Sequence, residues 1–180
     1  MRKFFNLTTV ASGIALGMLI AGALALVGGS YAKDVVHDQL VPQKIFFPQK
    51  GEDLPASLNQ YAGQQVDTAK EAKAYANDFI GLHLKGIGQG QSYSEVSAAF
   101  MKDPNNTELA QQRQTMFMGE TLRGTLLNAW GWGTMGTIAT IAGIVLLGIG
   151  AVLLAVPLLV AVTSRRRTEK TVRRTVPTAA

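Results

Sequence analysis

The 180-residue chain contains no cysteine. Disulfides, thiolate nucleophiles, cysteine-based zinc sites and cysteine-ligated iron–sulfur clusters are therefore excluded. Histidine is almost as scarce, since His37 and His83 are the only two in the sequence. Imidazole-rich metal chemistry is not expected from so few ligands. We predict no cofactor, no metal site and no catalytic residues.

Charged residues make up only 16% of the chain, and two long stretches have none. Residues 4–32 and 124–164 contain no Asp, Glu, Lys or Arg. Apolar content that is concentrated in two stretches of this length is better explained by two membrane helices than by one core.

The first membrane helix is predicted at residues 10–28. At 1.5 Å per residue it would be about 28 Å long, close to the roughly 30 Å thickness of the hydrocarbon layer. A cleaved signal peptide is the alternative, because Arg2 and Lys3 precede the segment and Ser30 and Ala32 form a small-residue cleavage pattern. An uncleaved anchor is favoured, since the apolar run exceeds the roughly 7–15 residues typical of signal peptides.

The second membrane helix is predicted at residues 134–162. It would be about 43 Å long if straight, so it can tilt or kink at Pro157. Trp130 and Trp132 stand just before it, where aromatic rings favour the headgroup layer. A basic tail, residues 163–180, follows the helix. Its six cations are Arg165, Arg166, Arg167, Lys170, Arg173 and Arg174.

The distribution of charge predicts the orientation. The tail carries six cations and one anion, a net +5, and residues 1–9 add +2. Residues 33–123 carry nine cations and eleven anions, a net −2, which closes the total of +5. Because cation-rich segments stay in the cytoplasm, we expect both termini there and residues 29–133 outside the plasma membrane. The tail is expected to attract anionic lipid and not nucleic acid.

Between the two spans, the pattern predicts a small helical domain with few strands. Apolar residues recur at helical spacing over 64–85, and Asp67 is positioned to cap that helix. Ser92 and Glu95 have the spacing of a capping box for a second short helix. Asp103, followed by proline, is expected to cap a third helix that continues into the second span. The predicted fold class is mainly α, with two transmembrane helices flanking a small extracytoplasmic helical domain.

Several residues of this domain are candidates for contact with a partner protein or with lipid. Phe46 and Phe47 lie in a proline-bounded segment, and we expect them to pack on the core, with partner docking or insertion into the membrane surface as the alternative. Glu120 and Arg123 have i,i+3 spacing, which favours either a surface ion pair or a contact with a neighbouring helix or a headgroup. Trp130 and Trp132 complete the set of candidates.

Small residues recur every four positions in both spans. Gly13, Gly17, Ala21 and Ala25 do so in the first, and Ala139 and Gly143 do so in the second. Small residues at this period allow two helices to approach closely. The pattern predicts either packing of the two spans on each other or self-association.

Three segments carry a resemblance to a known family. They are VHDQLVPQKIFFP at 36–48, YAGQQVDTAKEAKAYANDFIGLHL at 61–84 and FMGETLRGTLLNAWGW at 117–132. With these residues, the chain resembles a family of small, uncharacterised actinobacterial two-span membrane proteins, some of which carry the name aromatic ring-opening dioxygenase. Extradiol dioxygenases need ferrous iron held by histidines and a carboxylate. His37 and His83 do not have a recognisable ligand spacing, so the resemblance implies no catalytic residue here.

The sequence thus predicts a non-enzymatic integral membrane protein of the cell envelope. Its extracytoplasmic domain is expected to bind a partner protein or lipid, as an accessory subunit of a membrane complex or as a homo-oligomer. The alternative is an extracytoplasmic ligand-sensing module that signals through a separate partner.

Overall fold

The computed structural model describes the backbone of residues 2–175 and the side chains of residues 9–159. Within that part of the chain there is no strand, and the one β-type pairing is an isolated antiparallel bridge between Phe46 and Gln65. The fold is mainly helical, as predicted. Thr9–Gln43 and Thr107–Leu159 are long and apolar enough to cross a membrane.

The helices follow one another in a simple order. Within residues 2–175, five α-helices are separated by two 3₁₀ turns and one π segment. In chain order they are α1 (Arg2–Leu40), 3₁₀ turns at Val41–Gln43 and Ala56–Tyr61, α2 (Ala69–Ala74), a π segment (Tyr75–Ile80), α3 (Gly81–Ile87), α4 (Tyr93–Lys102) and α5 (Thr107–Thr175).

The chain forms two compact units. We call the first, from Met1–Gly28 and Ile138–Ala180, the apolar helix pair, and the second, Gly29–Thr137, the helical domain. The apolar helix pair is built from parts of α1 and α5, whereas the helical domain contains all the shorter elements.

Glycines bring the two backbones of the apolar helix pair into contact. A Cβ atom added to Gly22 would lie 2.9 Å from the carbonyl oxygen of Gly143, and one added to Gly143 would lie 2.7 Å from the carbonyl oxygen of Gly22. A Cβ on Gly150 would lie 3.0 Å from the carbonyl oxygen of Ala15. The helices therefore run antiparallel, and their contact requires small residues.

On α1, this contact uses different small residues from the predicted stripe. Gly13 and Gly17 face open space, and Ala21 is exposed. Ala25 and Ala139 are half-buried. Of the predicted residues, Gly143 lies at the contact itself.

Spacing along the helix explains the difference. Contact residues on each helix are separated by seven positions, as Ala15 and Gly22 are on α1 and Gly143 and Gly150 are on α5. A seven-residue step returns to nearly the same helical face, whereas repeated four-residue steps rotate progressively away from it. The face that carries Gly13 and Gly17 is left uncovered.

The helical domain has its own apolar core, to which α1 contributes Val36 and Leu40. The largest side chains in it that are almost completely buried are Phe47, Leu58, Val66, Val96, Met116 and Leu126. No polar or charged residue is buried among residues 9–159. Burial of apolar side chains from all of its helices, from the π segment and from the 3₁₀ turn at Ala56–Tyr61 therefore stabilises this unit.

The start of α2 differs from the prediction. Thr68, not Asp67, is its N-cap, and Thr68 and Glu71 form a reciprocal capping box. The hydroxyl of Thr68 accepts from the Glu71 N–H, while the Glu71 carboxylate accepts from the N–H groups of Asp67 and Thr68. The box requires three-residue spacing to an acid, which Thr68 has and Asp67 lacks.

Of the other two predicted helix starts, one is confirmed and one is wrong. The Ser92–Glu95 capping box is confirmed at the start of α4. The prediction that Asp103 caps the next helix is wrong, because Asp103 ends α4 and α5 begins at Thr107. Asn106 takes the capping role there, with its side-chain oxygen accepting from the Leu109 N–H at 3.0 Å.

The glycine contact yields a stability prediction. Gly143→Ala places a methyl group closer to the Gly22 carbonyl than real Cβ atoms come. We expect a loss of about 1–3 kcal/mol in the free energy of unfolding, measured in detergent by titration with a denaturing surfactant. Gly148→Ala is the matched control on the same helix, because its Cβ would meet open space. Equal stability of the two variants would contradict a close-packed glycine contact.

Candidate functional site

The helix that follows Thr68 contains a local irregularity. Between α2 and α3 the segment Tyr75–Ile80 is a π-helix, and the Gly81 N–H at its end bonds to the carbonyl of Ala76. Such i→i−5 bonding widens the helix and accommodates an additional residue. π segments inside α-helices occur frequently at functional sites.

Arg123 of α5 binds directly to this segment. Its Nε donates to the Ala76 carbonyl oxygen at 3.0 Å, and its Nη2 donates to Oδ1 of Asn77 at 3.2 Å. Its Nη1 donates to both oxygens of Glu120 at 3.0 and 2.9 Å. The guanidinium thus joins two residues of the π segment to an acid on its own helix.

The predicted Glu120–Arg123 ion pair is therefore present, and the arginine does more than pair with its neighbour. It is 26% exposed, against 42% for Glu120. Three of its nitrogens are already donating within the helical domain. The sequence did not predict Ala76 and Asn77 as partners of Arg123. A helical periodicity does not indicate a π segment, and both residues lie far from Arg123 along the chain.

A row of aromatic rings runs beside the π segment. In order it comprises Tyr61, Phe47, Tyr75, Phe79 and His83, with neighbouring ring centroids 5.1, 5.0, 4.8 and 4.5 Å apart. Burial raises the pKa of the Tyr75 hydroxyl, which keeps it protonated. Nδ1 of His83 lies 2.8 Å from the Phe79 carbonyl oxygen, which gives this histidine a local structural partner.

Phe46 and Phe47 have opposite environments. Phe47 lies in the row and is 2% exposed, whereas Phe46 is 52% exposed. The segment is extended at this point and Phe46 bridges to Gln65, so successive side chains point to opposite sides. The expectation that both rings pack on the core fails for Phe46, which remains available to a partner.

The two tryptophans also differ. Trp130 is half-buried, and Nζ of Lys73 lies 4.4 Å from the centroid of its indole ring. Trp132 is 61% exposed. Trp130 is thus engaged in a cation–π contact, whereas Trp132 presents its ring to the surroundings.

The capping box places titratable groups together at the start of α2. Burial acts to raise the pKa of Glu71, but hydrogen bonds from the Asp67 N–H and from Thr68 outweigh it, so the pKa is lowered. Burial and the Glu71 carboxylate raise the pKa of Asp67. Nδ1 of His37 lies 3.2 Å from the Asp67 carbonyl oxygen, which links α1 to this turn.

Residues 9–159 contain no group of three or more His, Asp and Glu side chains placed to hold a metal ion. The six side chains of the predicted topology and anionic-lipid set, Arg165, Arg166, Arg167, Lys170, Arg173 and Arg174, lie outside the described ones. The predicted contact residues within that range are distributed over the domain: Phe47 lies in its core, Arg123 and Glu120 at the π segment, and Phe46 and Trp132 at its surface.

No known protein family, curated protein sequence or solved structure matches the chain.

The Arg123 network yields the second prediction. Arg123→Lys keeps the charge but cannot donate to Ala76, Asn77 and Glu120 in the same planar arrangement. We expect a loss of about 1–2 kcal/mol in the free energy of unfolding, because a polar group at the π segment loses its partner. Arg113→Lys is the control, since Arg113 stacks on Phe100 at 4.3 Å and the lysine can retain a cation–π contact. Equal losses in chemical unfolding would show that the network adds no specific stabilisation.

The capping box yields a pH prediction. Because the pKa of Glu71 is lowered by folding, its ionised form stabilises the protein above its ordinary pKa of 4.5, and this contribution is lost as the pH falls through the lowered value. Asp67, with a raised pKa, acts in the opposite direction. Thermal unfolding of Glu71→Gln should therefore be compared with its parent in an Asp67→Asn background.

We expect the stability difference between these two proteins to be largest near neutral pH and to shrink below about pH 4.5. A difference that does not change with pH would contradict the assigned role of the Glu71 carboxylate.

Proposed function

We propose that this chain is a non-enzymatic integral membrane protein of the cell envelope, and that its helical domain binds a membrane protein or lipid outside the plasma membrane. The observation that carries the proposal is the exposure of its two longest apolar helices. Only 11% of the most apolar window of each helix is buried. The core helix of a soluble protein would be mostly buried.

The exposed surface of these helices is made of large aliphatic side chains. Leu24 on α1 is 67% exposed and Ile138 on α5 is 62% exposed, and many of their neighbours are similar. Monomeric soluble proteins rarely expose contiguous apolar surface of this extent. A bilayer is the medium in which such a surface is stable.

The packing of α1 supports an uncleaved anchor over a signal peptide. Gly22 lies against Gly143 in the apolar helix pair, and Val36 and Leu40 of the same helix contribute to the core of the helical domain. Cleavage after Ala32 would remove the contact at Gly22. We therefore assign α1 as a permanent span.

Binding of a partner is supported by apolar residues that the domain leaves uncovered. Leu82, Met101, Phe117 and Met118 are each more than half exposed. They belong to α3, α4 and α5, which already have a buried core of their own. Because these side chains are not needed to complete that core, they are suited to contact a neighbouring protein, for which this chain would be an accessory subunit.

The proposed orientation rests on the charge distribution, with the basic tail in the cytoplasm and the helical domain outside. Since the chain has no cysteine, one introduced cysteine reports its own location. We expect Asn105→Cys to react with a membrane-impermeant thiol reagent in intact cells. Thr178→Cys should react only after the membrane is permeabilised.

The same labelling pattern for both variants would contradict the orientation. Labelling of Thr178→Cys alone in intact cells would indicate the opposite orientation.

Purification of the full-length chain in mild detergent tests the partner. We expect a specific protein or lipid to co-purify, and its yield to fall several-fold in a Phe117→Ser, Met118→Ser double variant. Gln114→Ser is the control, because Gln114 is an exposed polar residue on the same helix. A solitary monomer that enriches neither protein nor lipid would contradict the proposal.

A further inference from the structure

A stripe of exposed side chains along α1 changes character at Tyr31. Its members follow one another at steps of three and four residues, which keeps them on one face of the helix. In order they are Leu24, Val27, Tyr31, Asp34 and Asp38, and all five are exposed. Tyr31 is the most exposed of the three that are not acidic, at 70%. The surface of α1 therefore changes from apolar to acidic, with one aromatic ring at the change.

A stripe on α5 has the same order of side chains. At steps of three and four residues it presents Thr125, Asn128, Trp132, Met135 and Ile138, which are all exposed. Trp132 is 61% exposed, close to the values of Met135 and Ile138. On this helix too, an aromatic ring separates exposed polar side chains from exposed apolar ones.

The contact of Gly136 with α1 brings the two rings to nearby levels. A Cβ on Gly136 would lie 2.8 Å from the carbonyl oxygen of Gly29 and 3.3 Å from Cγ of Lys33. Tyr31 stands midway between Gly29 and Lys33, so it is level with Gly136. Trp132 is one turn away, about 6 Å along α5. This offset matches the thickness of one headgroup layer, roughly 5–8 Å on each side of the hydrocarbon.

Trp130 has a different environment, although it is only two residues from Trp132. It is half-buried, and Nζ of Lys73 lies 4.4 Å from the centroid of its ring. One face of its indole is therefore covered by protein. Of the two tryptophans, Trp132 is the one that presents its ring to lipid.

We propose that Tyr31 and Trp132 insert into the outer headgroup layer of a phospholipid bilayer and set the depth at which α1 and α5 enter it. Both residue types favour this layer, because each combines a large apolar ring with one hydrogen-bonding group. A bilayer surrounds the helices, so the two rings need a common level and not a common face. The placement rests on the proposed function, which requires α1 and α5 to span a membrane.

The test uses the full-length chain in vesicles of phosphatidylcholine with brominated acyl chains, which quench tryptophan on contact. The chain has two tryptophans, so Trp130→Phe leaves Trp132 as the reporter and Trp132→Phe leaves Trp130. We expect bromine on the carbons nearest the headgroup to quench Trp132 several-fold more than bromine at the chain ends. The same shallow label should quench Trp130 several-fold less than Trp132.

Two introduced tryptophans extend the test in a Trp130→Phe, Trp132→Phe background. Tyr31→Trp should be quenched by the shallow label as strongly as Trp132. Phe117→Trp is the matched control, because Phe117 is 57% exposed on the same helix and lies about 22 Å along α5 from Trp132. We expect brominated lipid to leave it unquenched and aqueous acrylamide to quench it fully.

Three outcomes for Trp132 would overturn the placement. Stronger quenching by bromine at the chain ends would put the ring in the hydrocarbon. Quenching by acrylamide alone, as in Phe117→Trp, would put it in water. Protection from both lipid and acrylamide would show that protein covers it.

Extraction with alkaline carbonate separates this placement from the proposed function. A chain that is extracted from the vesicles would contradict the proposed function, and the placement with it. A chain that resists extraction while the shallow label leaves Trp132 unquenched would contradict the placement alone.

Discussion

The contact between the backbones of α1 and α5 at glycine residues sets the alignment on which the other features depend. In the apolar helix pair, Gly22 meets Gly143 at a distance that no side chain could tolerate. Within the helical domain, a Cβ on Gly136 would likewise lie 2.8 Å from the Gly29 carbonyl oxygen. In a bilayer such contacts contribute through packing and not through the hydrophobic effect, because lipid chains are as apolar as the side chains they replace. Gly29 and Lys33 are both on α1. Once Gly29 lies beside Gly136, the place along α5 that Lys33 contacts is therefore fixed as well.

That alignment explains why the second charge-free stretch is longer than a membrane requires. Residues 124–164 contain no charge, yet Leu126 is 1% exposed and Gly133 is packed against Ala69 inside the helical domain. One face of the first part of the stretch is therefore covered by protein. Lys33 lies beside Gly136, so on our proposal the hydrocarbon layer begins close to that residue. Composition alone cannot separate residues that protein covers from residues that lipid would cover.

Local signals in the sequence were sufficient where one short-range interaction decides the structure. Ser92 and Glu95 formed their box as predicted, because both halves of the interaction lie within four residues. The same rule, applied strictly, would have selected Thr68 over Asp67, since Thr68 is the residue with an acid three positions later. Both charge-free stretches also predicted helices that are long and apolar enough to cross a bilayer. The length of an uninterrupted apolar run is sufficient for that prediction.

Interactions between distant parts of the chain were not accessible in this way. The four-residue repeat of Gly13 and Gly17 was visible, but which face of α1 meets α5 depends on residues more than a hundred positions away, and the faces that meet carry a seven-residue repeat. The π segment was hidden for a similar reason. The Ala76 carbonyl oxygen accepts a hydrogen bond from Arg123, and nothing near Ala76 in the sequence predicts that donor.

The use of Arg123 inside the domain bears on how a partner would be recognised. A headgroup or a neighbouring helix that took the guanidinium would leave the Ala76 carbonyl and the Asn77 side chain without their donor. An unsatisfied polar group costs about 1–3 kcal/mol where it is buried, which offsets much of what a new ion pair would contribute. Arg123 is therefore better suited to hold α5 against the π segment than to bind a ligand. On our proposed function, recognition of a protein falls instead to exposed apolar side chains such as Phe117.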